Sequence, residues 1–352
     1  MEPANQSLSA EVNRRAPSGR ATLQCRAHGE LVEWLFASGG SLAITTYTSG
    51  KLLLASCFEE QLRWRVRRFP RPMGLAVEGR RLALAVQNRL LLYRNSREKT
   101  ERRRERFGPE ASDAVFVPDE TFTTGKVDAH DVAFGRRRLY FANTRYNCLG
   151  RPSRKSRFSC CWLPPFISQI APHDRCHLNG LGMRDGRPAM VTAFCDSERP
   201  GGWREEDRFS SGVVIDVSQN QTVVGGLCMP HSPRWHAGRW WLCNSGEGTL
   251  GTFDPESGRY EVVCSLPGFT RGLFFVGNYA LVGLSRVRRR HVLDAPPVRA
   301  AHRQLIAGVA VVDWRTGQQL GLLEFVRGGN EVYDVAFLTG VRRPDLIVPS
   351  EV

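Results

Sequence analysis

Polar and apolar positions follow one another along this chain in a phrase that returns six times. Each copy begins with a polar or small doublet, continues as an apolar strand and a turn carrying Gly or Arg, and ends in a second apolar strand. The copies are RPMGLAVEGRRLALAV from Arg71, DAHDVAFGRRRLYFAN from Asp128, HLNGLGMRDGRPAMVTA from His177, HSPRWHAGRWWLCNS from His231, FTRGLFFVGNYALVGLS from Phe269 and EVYDVAFLTG from Glu331. This pattern predicts a repeated β-hairpin.

The spacing of the copies indicates a β-propeller. Successive copies lie roughly 40 to 65 residues apart, as propeller blades do, whereas the units of helical solenoids are helix pairs. The last copy lacks its second strand, and the segment Ser41–Ser56 supplies strands that lack a first partner. We therefore predict an all-β, six-bladed β-propeller that is closed by pairing of N- and C-terminal strands.

One domain and a tail account for the chain. Residues 1–29 are polar and lack the apolar core of a secretory signal, so they are predicted to be a disordered tail, and residues 30–352 form a single propeller domain. No apolar run approaches the about 18 residues of a membrane span. Several cysteines, such as Cys243 and Cys264, lie in apolar strands where a reduced thiol packs well. We expect a cytoplasmic protein without a membrane partner.

The formal net charge of +14 raises the question of a polyanionic partner. Most of the basic residues are Arg spread through turns, and the densest run, Arg97–Arg106, lies in a predicted surface loop. Nucleic acid is therefore not an expected partner, because its recognition depends on clustered cations. Asn95–Lys126 and Arg286–Gln304 are predicted rim excursions. The aromatic segment Gly150–Arg175 either covers one end of the channel or packs on the outer face of a blade.

The repeat also assigns distant residues to equivalent places around one axis. Inner strands line the channel of a propeller, so the residues that precede them converge at one mouth. At the doublet these residues are Met73, His130, Asn179, Ser232, Arg271 and Tyr333, and two positions earlier they are Arg71, Asp128, His177, Pro230, Phe269 and Glu331. His231 is one position out of phase, but flanking prolines indicate a bend that redirects it. We predict a polar pocket at this mouth.

One chemistry that fits the pocket is metal-assisted catalysis. His130, His177 and His231, with Asp128 or Glu331, are candidate catalytic residues, and the three histidines are candidate ligands of one divalent metal ion. The corresponding function is that of a hydrolase, an isomerase or a natural-product modifying enzyme.

The alternative is a binding protein. Arg234 and Arg271 are suited to hold the carboxylate or phosphate of a small polar or anionic molecule or of a peptide. The further candidate ligand-binding residues, from the doublets and from loops at the same end, are Asn179, Tyr333, Asn143, Arg145, Asp196, Trp203, Arg204 and Asn244. A scaffold that engages a protein partner through its basic rim is a third alternative. The carboxylates of Asp131 and Asp334 are expected to bond backbone N–H groups instead.

Long motifs in the chain resemble a known family. They include DAHDVAF, LYFANTRYNCL, PPFISQIAPHDRCHLNGLGM, GGWRE, MPHSPRWHAGRWWLCNSGEG and VYDVAFLTGVRRP. The resemblance, from about Glu30 onward, is to a largely bacterial domain of unknown function whose members are predicted β-propellers. More distantly, the inner strands are similar to the six-bladed gluconolactonase and strictosidine-synthase superfamily. That similarity implies a divalent cation at the channel mouth, and of the Glu, Asn and Asp ligands of the lactonase branch only Asn179 has a natural counterpart.

Overall fold

The computed structural model describes residues 22–108, 110–205, 207–287 and 296–349. Residues 1–21 of the predicted tail, residues 288–295 of the second rim excursion and residues 350–352 of the predicted domain lie outside this described part. Within it, the chain forms six sheets. The innermost strands of adjacent sheets contact one another around a complete ring, which confirms the six-bladed β-propeller.

The blades follow one another along the chain, and their strands are given from the channel outward. Blade 1 has β25 (Asp334–Leu338), β2 (Ser41–Thr46), β3 (Lys51–Phe58) and β4 (Gln61–Arg68); blade 2 has β5 (Leu75–Glu78), β6 (Arg81–Val86), β7 (Arg89–Asn95), β8 (Ala114–Thr123) and β26 (Pro344–Leu346). Blade 3 has β9 (Ala129–Phe134), β10 (Leu139–Asn143), β11 (Cys148–Arg151) and β12 (Ser159–Trp162); blade 4 has β13 (Gly180–Arg184), β14 (Arg187–Ala193), β15 (Gly212–Asp216) and β16 (Gln221–Leu227). Blade 5 has β17 (Pro230–His236), β18 (Arg239–Asn244), β19 (Thr249–Asp254) and β20 (Arg259–Ser265); blade 6 has β21 (Phe269–Val276), β22 (Tyr279–Ser285), β23 (Gly308–Asp313), β24 (Gln319–Arg327) and β1 (Gln24–Gly29).

Strands from both ends of the chain close the ring, as predicted. β25 pairs antiparallel with β2 in blade 1, with Ala336 opposite Ala43. β1 pairs with the outer strand of blade 6, and β26 pairs in parallel with the outer strand of blade 2. Because β1 begins at Gln24, the predicted tail boundary at residue 29 is corrected. This half-exposed edge strand lacks the continuous apolar run that marks the inner strands.

The outermost strands of the blades are the least buried, which explains why the strands nearer the channel were easier to predict. In β6, RLALAV, every residue except Arg81 is buried, because neighbouring blades cover both faces of the sheet. In β20, RYEVVCS, no residue is fully buried. The core lies between blades, where for example Ile44 and Leu53 of blade 1 pack with Leu281 and Val311 of blade 6.

In the described part of the chain, three helices and two short 3-10 turns connect these strands. They are α1 (Leu31–Ala37), α2 (Arg97–Phe107), α3 (Val298–Ala301), and the 3-10 turns Gly202–Arg204 and Ser245–Glu247. Among the described residues there is no helix with the length and apolar character needed to traverse a membrane.

Helix α2 corrects the prediction of a loop at the basic run. Ser96 caps it by accepting a hydrogen bond from the backbone N–H of Lys99 at 3.3 Å. Arg97 pairs with Glu101 at 2.8 Å, one helical turn away, and such pairs stabilise an isolated turn by about 0.2–0.5 kcal/mol. Pairs of charged residues on the surface of α2 therefore stabilise the helix. Its sequence lacks the apolar stripe by which helices are usually recognised.

An ion pair near the axis ties four blades together. Arg234 donates to both carboxylate oxygens of Asp131, at 2.8 and 3.1 Å. It also donates to the carbonyl oxygens of Leu181, at 3.0 Å, and Leu273, at 3.1 Å. These contacts occupy a side chain that was predicted to hold a ligand, so Arg234 has a structural position.

Asp131 and Asp334 bond backbone N–H groups, as expected. Asp131 accepts from the N–H of Leu181 at 3.0 Å, and Asp334 accepts from the N–H of Leu75 at 2.8 Å, each in the following blade. Burial and the neighbouring Asp131 raise the pKa of Asp334 to about 7, against the opposing charge of Arg234. Carboxylates on the axis thus join successive blades.

Candidate functional site

Propeller topology brings the predicted site residues to one end of the channel. The first four strands of each blade are antiparallel to their neighbours, so the second and fourth strands return to the end at which the first begins. Residues 144–147, 194–205 and 245–248 follow second strands and therefore share this end. His130, His177 and His231 lie at the beginning of inner strands, at the same mouth.

The backbone enters the inner strands of four successive blades through a left-handed residue. Positive φ angles occur at Arg71 (46°), Asp128 (51°), His177 (52°) and Met229 (52°). His231 comes two residues after Met229, as His130 comes two residues after Asp128. The predicted equivalence of Ser232 with His130 is therefore wrong by one residue, and His231 takes that place without any redirection by the prolines.

His130 is held by its Nδ1 atom. This atom lies 3.0 Å from the carbonyl oxygen of Asp128 and 2.7 Å from the hydroxyl oxygen of Thr144. The Thr144 hydroxyl itself donates to the carbonyl of Leu178 at 2.6 Å. Because a carbonyl oxygen only accepts, Nδ1 must carry the hydrogen, which leaves Nε2 as an acceptor. Nε2 has no hydrogen-bond partner in the part of the chain that the structure describes.

His231 repeats this arrangement two blades later. Its Nδ1 lies 3.1 Å from the carbonyl oxygen of Met229 and 2.8 Å from the hydroxyl oxygen of Ser245. The ring is 4% exposed, and its Nε2 also lacks a partner among the described residues. Two imidazoles thus present an unused acceptor at the mouth.

Both of these rings are neutral at pH 7. Burial, His177 and Arg271 hold the pKa of His130 well below its ordinary value. Burial and Arg271 do the same to the pKa of His231, with smaller effects from the other two histidines. A neutral ring with hydrogen on Nδ1 accepts a hydrogen bond at Nε2, so these positions suit a donor on a ligand.

His177 has a different partner. Its Nδ1 lies 3.0 and 3.2 Å from the two carboxylate oxygens of Asp174, which also accepts from Nε1 of Trp203 at 3.1 Å. Burial opposes ionisation of Asp174, but His177 and Arg204 are among the groups that hold its pKa below the ordinary value. A carboxylate-bound imidazole has the arrangement of a general base.

The three histidines belong to an arc of rings around the mouth, from blade 1 to blade 6. The successive centroid separations are 5.4 Å for Tyr47–Tyr333, 5.3 Å for Tyr333–His130, 4.8 Å for His130–His177, 4.6 Å for His177–Phe194, 5.3 Å for Phe194–His231 and 5.6 Å for His231–Phe269. The repeat therefore brings residues far apart in sequence into one continuous wall.

Arg271 lies over this wall without a carboxylate partner. Its guanidinium carbon is 3.6 Å from the centroid of the Tyr333 ring. Arg271 Nε and the Tyr333 hydroxyl are both buried without a hydrogen-bond partner, and no ion pair to Arg271 occurs within the described ranges. Burial raises the pKa of Tyr333 well above its ordinary value, so the hydroxyl stays protonated. The guanidinium thus lies against the Tyr333 ring and hydroxyl, and no carboxylate among the described residues pairs with its charge.

Several predicted site residues make hydrogen bonds within the fold. Glu331 accepts from the N–H of Thr48 at 2.6 Å and from its hydroxyl at 2.5 Å. Asn143 and Asn244 are buried, and their side-chain oxygens accept from backbone N–H groups of nearby turns. Asn179 donates to the carbonyl of its neighbour two residues earlier and accepts from a threonine hydroxyl. These contacts shape the mouth, and a role of the four side chains in binding or catalysis stays a prediction.

The remaining candidates lie at the edge of the site. Trp203 is 3% exposed, and Arg204 stacks on it with its guanidinium carbon 3.9 Å from the ring centroid. Asp128 and Arg145 are half-buried, whereas Asp196 is exposed. Burial is the main cause of the raised pKa values of Tyr47 and Tyr333, and the charge of Asp128 adds to it.

Four residues that contact the histidines of the site were not predicted from the sequence. Thr144 and Ser245 hold the two histidines, and a signal for them exists: each follows an Asn at the end of a second strand, in FANT and LCNS. Phe194 and Asp174 contact His177. Asp174 belongs to the aromatic segment Gly150–Arg175, part of which forms β12, and nothing in PHDRCH distinguishes this carboxylate before the fold is known.

The donor set does not fit a metal centre. No group of three or more His, Cys, Asp or Glu side chains is arranged to hold a metal ion within the described ranges. The amide of Asn179, the residue matched to the lactonase cation ligands, is bonded on both sides. The metal site at His130, His177 and His231 stays a prediction, and no step below depends on it.

The motifs at this mouth and the whole ring lie within one known family. Residues 29–347 match the family model described as Domain of unknown function (DUF4915). The chain belongs to the DUF4915 family. This membership confirms the resemblance to a domain of unknown function. No curated protein matches this DUF4915 sequence.

Two solved structures are similar to the DUF4915 propeller. A chain in the crystal structure of a nidogen/laminin complex has a TM-score of 0.50 at 9% identity, covering 86% of this chain and 99% of that chain. A protein of unknown function from Bacteroides caccae has a TM-score of 0.53 at 10% identity, covering 85% and 98%. At such identities the likeness supports the fold alone, and the similarity to gluconolactonases stays a prediction.

Proposed function

We propose that the channel mouth binds a small polar molecule that carries an anionic group together with hydroxyl or amino donors. The observation that supports this most strongly is Arg271, stacked on Tyr333 beside neutral histidines and without a carboxylate partner in the described part of the chain. A half-buried guanidinium loses hydration, and a bound carboxylate or phosphate restores its hydrogen bonds and its charge balance.

The donors on the ligand are proposed from the acceptors around Arg271. Nε2 of His130 and of His231 accept hydrogen bonds when the rings are neutral, and the half-buried carboxylate of Asp128 is a third acceptor. Hydroxyl or ammonium groups match such positions. An anion without donors would satisfy Arg271 and leave these acceptors desolvated and unpaired, at a cost of about 1–3 kcal/mol each.

Four probes separate these features in a ligand-observed NMR titration. Glycerol 3-phosphate and glycerate carry an anion and hydroxyls, propionate carries only the anion, and glycerol carries only the hydroxyls. We expect the first two to bind more tightly than either of the others. Arg271→Gln should weaken them by about tenfold or more, since a charge-assisted hydrogen bond contributes about 1.5–3 kcal/mol.

Arg184→Gln is the matched control, because Arg184 also stacks on an aromatic ring, 4.2 Å from the Trp235 centroid. It is the last residue of the inner strand β13 and lies at the opposite mouth. The affinities of this variant should equal those of the wild type. Equal binding of glycerol and glycerol 3-phosphate, or equal losses in both variants, would contradict the proposal.

A reducing compartment such as the cytoplasm is proposed as the site of action. All ten cysteines of the sequence lie among the described residues and are free thiols. Six of them are buried, among them Cys176 and Cys243 with 0% exposure, where they pack as small apolar groups. Fractionation of cells that express the protein at its natural level, with thiol labelling of each fraction, tests this location.

A further inference from the structure

A cavity lies at the outer edge of blade 2, away from the channel mouth. Helix α2 and the chain after β26 enclose a groove of about 400 Å³. Its lining residues are Lys99, Arg102, Arg103, Arg106, Phe107 and Ile347. Four cations and two apolar side chains therefore face one space that no carboxylate lines.

The helix that forms this groove is firmly attached to the propeller. Arg103 pairs with Asp345, whose side chain is fully buried and also pairs with Arg67 of β4. The buried hydroxyl of Thr100 donates to the Ser96 carbonyl at 2.8 Å and accepts from the backbone N–H of Val115 at 3.1 Å. A groove with such anchors is present before any partner arrives, so binding requires little ordering of α2.

The groove combines unpaired charge with exposed apolar surface. Arg102 pairs with Glu98 at 2.8 Å, but Lys99 and Arg106 have no ion pair in the described part of the chain. Phe107 is 64% exposed, and the Arg106 guanidinium carbon lies 5.0 Å from its ring centroid. An exposed aromatic ring beside free cations is typical of an interaction surface.

We propose that this groove binds an acidic peptide segment of a partner protein, with one apolar side chain of the segment resting on Phe107 and Ile347. Carboxylates of the segment then complement Lys99 and Arg106. A nucleic acid fits less well, because the helix is only about 16 Å long and the groove also presents the apolar side chains of Phe107 and Ile347, which a phosphate backbone does not use. The proposal is independent of the ligand site at the channel mouth.

Fluorescence anisotropy with a labelled probe tests this surface on the full chain. The probe is a short peptide of Glu and Asp with a single central Leu; a Leu→Ser version and a single-stranded oligothymidylate are compared with it. We expect the Leu peptide to bind most tightly and added NaCl to weaken it. Arg106→Gln and Phe107→Ser should each reduce its affinity by about fivefold to tenfold.

Arg97→Gln is the matched control, since it removes the same charge from the same helix. Arg97 does not line the groove and pairs with Glu101. This variant should bind the peptide as the wild type does. Equal losses in Arg97→Gln and Arg106→Gln, tighter binding of oligothymidylate, or no anisotropy change at low salt would each overturn the proposal.

Discussion

At the residue scale, the binding properties of the channel mouth depend on which side-chain atoms have no hydrogen-bond partner among the described residues. His130 and His231 use Nδ1 for bonds within the fold and leave Nε2 without a partner among the described residues, whereas Oε1 of Glu331 and both ends of the Asn179 amide make such bonds. Residue type alone does not separate these cases. The difference follows from backbone geometry. The left-handed residue two positions before each histidine places its own carbonyl oxygen within hydrogen-bond distance of the imidazole Nδ1.

Arg271→Gln is expected to raise the pKa of His130 and of His231. The guanidinium charge disfavours imidazolium in both rings, so its removal lets each ring take up a proton at higher pH. NMR titration of the imidazole resonances measures this shift directly. The pKa of His236, near the opposite end of the channel, should not change, and unchanged values for His130 and His231 would count against the described geometry.

Arg234→Met is expected to destabilise the protein by about 3 kcal/mol or more, because it leaves the Asp131 carboxylate buried without its cation. Urea denaturation measures the free energy of unfolding. Arg154→Met serves as the control, since Arg154 is 82% exposed and its pair with Glu120 should contribute less than about 1 kcal/mol. Equal effects of the two substitutions would show that the axial pair is not structural.

The sequence predicted residues of the mouth well where the repeat is regular. HDVAF and YDVAF place His130 and Tyr333 at equivalent positions, and their rings do meet. His231 was placed one residue out of register because the left-handed residue before it is Met229, a type that gives no sign of that conformation. Asp174 reaches His177 from a loop, and loop paths depend on tertiary packing.

At the element scale, both ends of the chain fasten the ring at three places. β25 completes blade 1, while β1 and β26 extend the outer edges of blades 6 and 2. The closing pair was predictable, because an incomplete hairpin at each end signals a shared blade. The two outer strands were not, since short edge strands carry little apolar pattern.

Asp345→Asn is expected to loosen α2 and to lower the free energy of unfolding by about 2–3 kcal/mol. The carboxylate is fully buried between Arg67 and Arg103, and an amide cannot balance their two charges. Hydrogen exchange should accelerate in residues 97–107. Asp119→Asn removes an exposed carboxylate, 49% accessible, from the same blade and should change neither quantity. Unaltered exchange in α2 after Asp345→Asn would show that the helix is held by other contacts.

At the scale of the whole molecule, a rigid ring carries two separate surfaces. The channel mouth draws residues from every blade but one into a single wall of rings, and the groove of α2 lies at the outer edge of blade 2. Fold and closure followed from the repeat, whereas the position of each side-chain atom did not. Ligand binding is therefore expected to depend on side-chain contacts at the mouth more than on the propeller fold itself.

The most direct measurement is an NMR pH titration of the imidazoles with and without saturating propionate, which carries the anion but no donor that would bond Nε2 of the neutral rings. An anion bound at Arg271 favours imidazolium nearby, so the pKa values of His130 and His231 should rise on binding while that of His236 stays constant. The rises should disappear in Arg271→Gln. Unchanged pKa values at the mouth with the ligand bound, or an equal rise at His236, would contradict an anion site at Arg271.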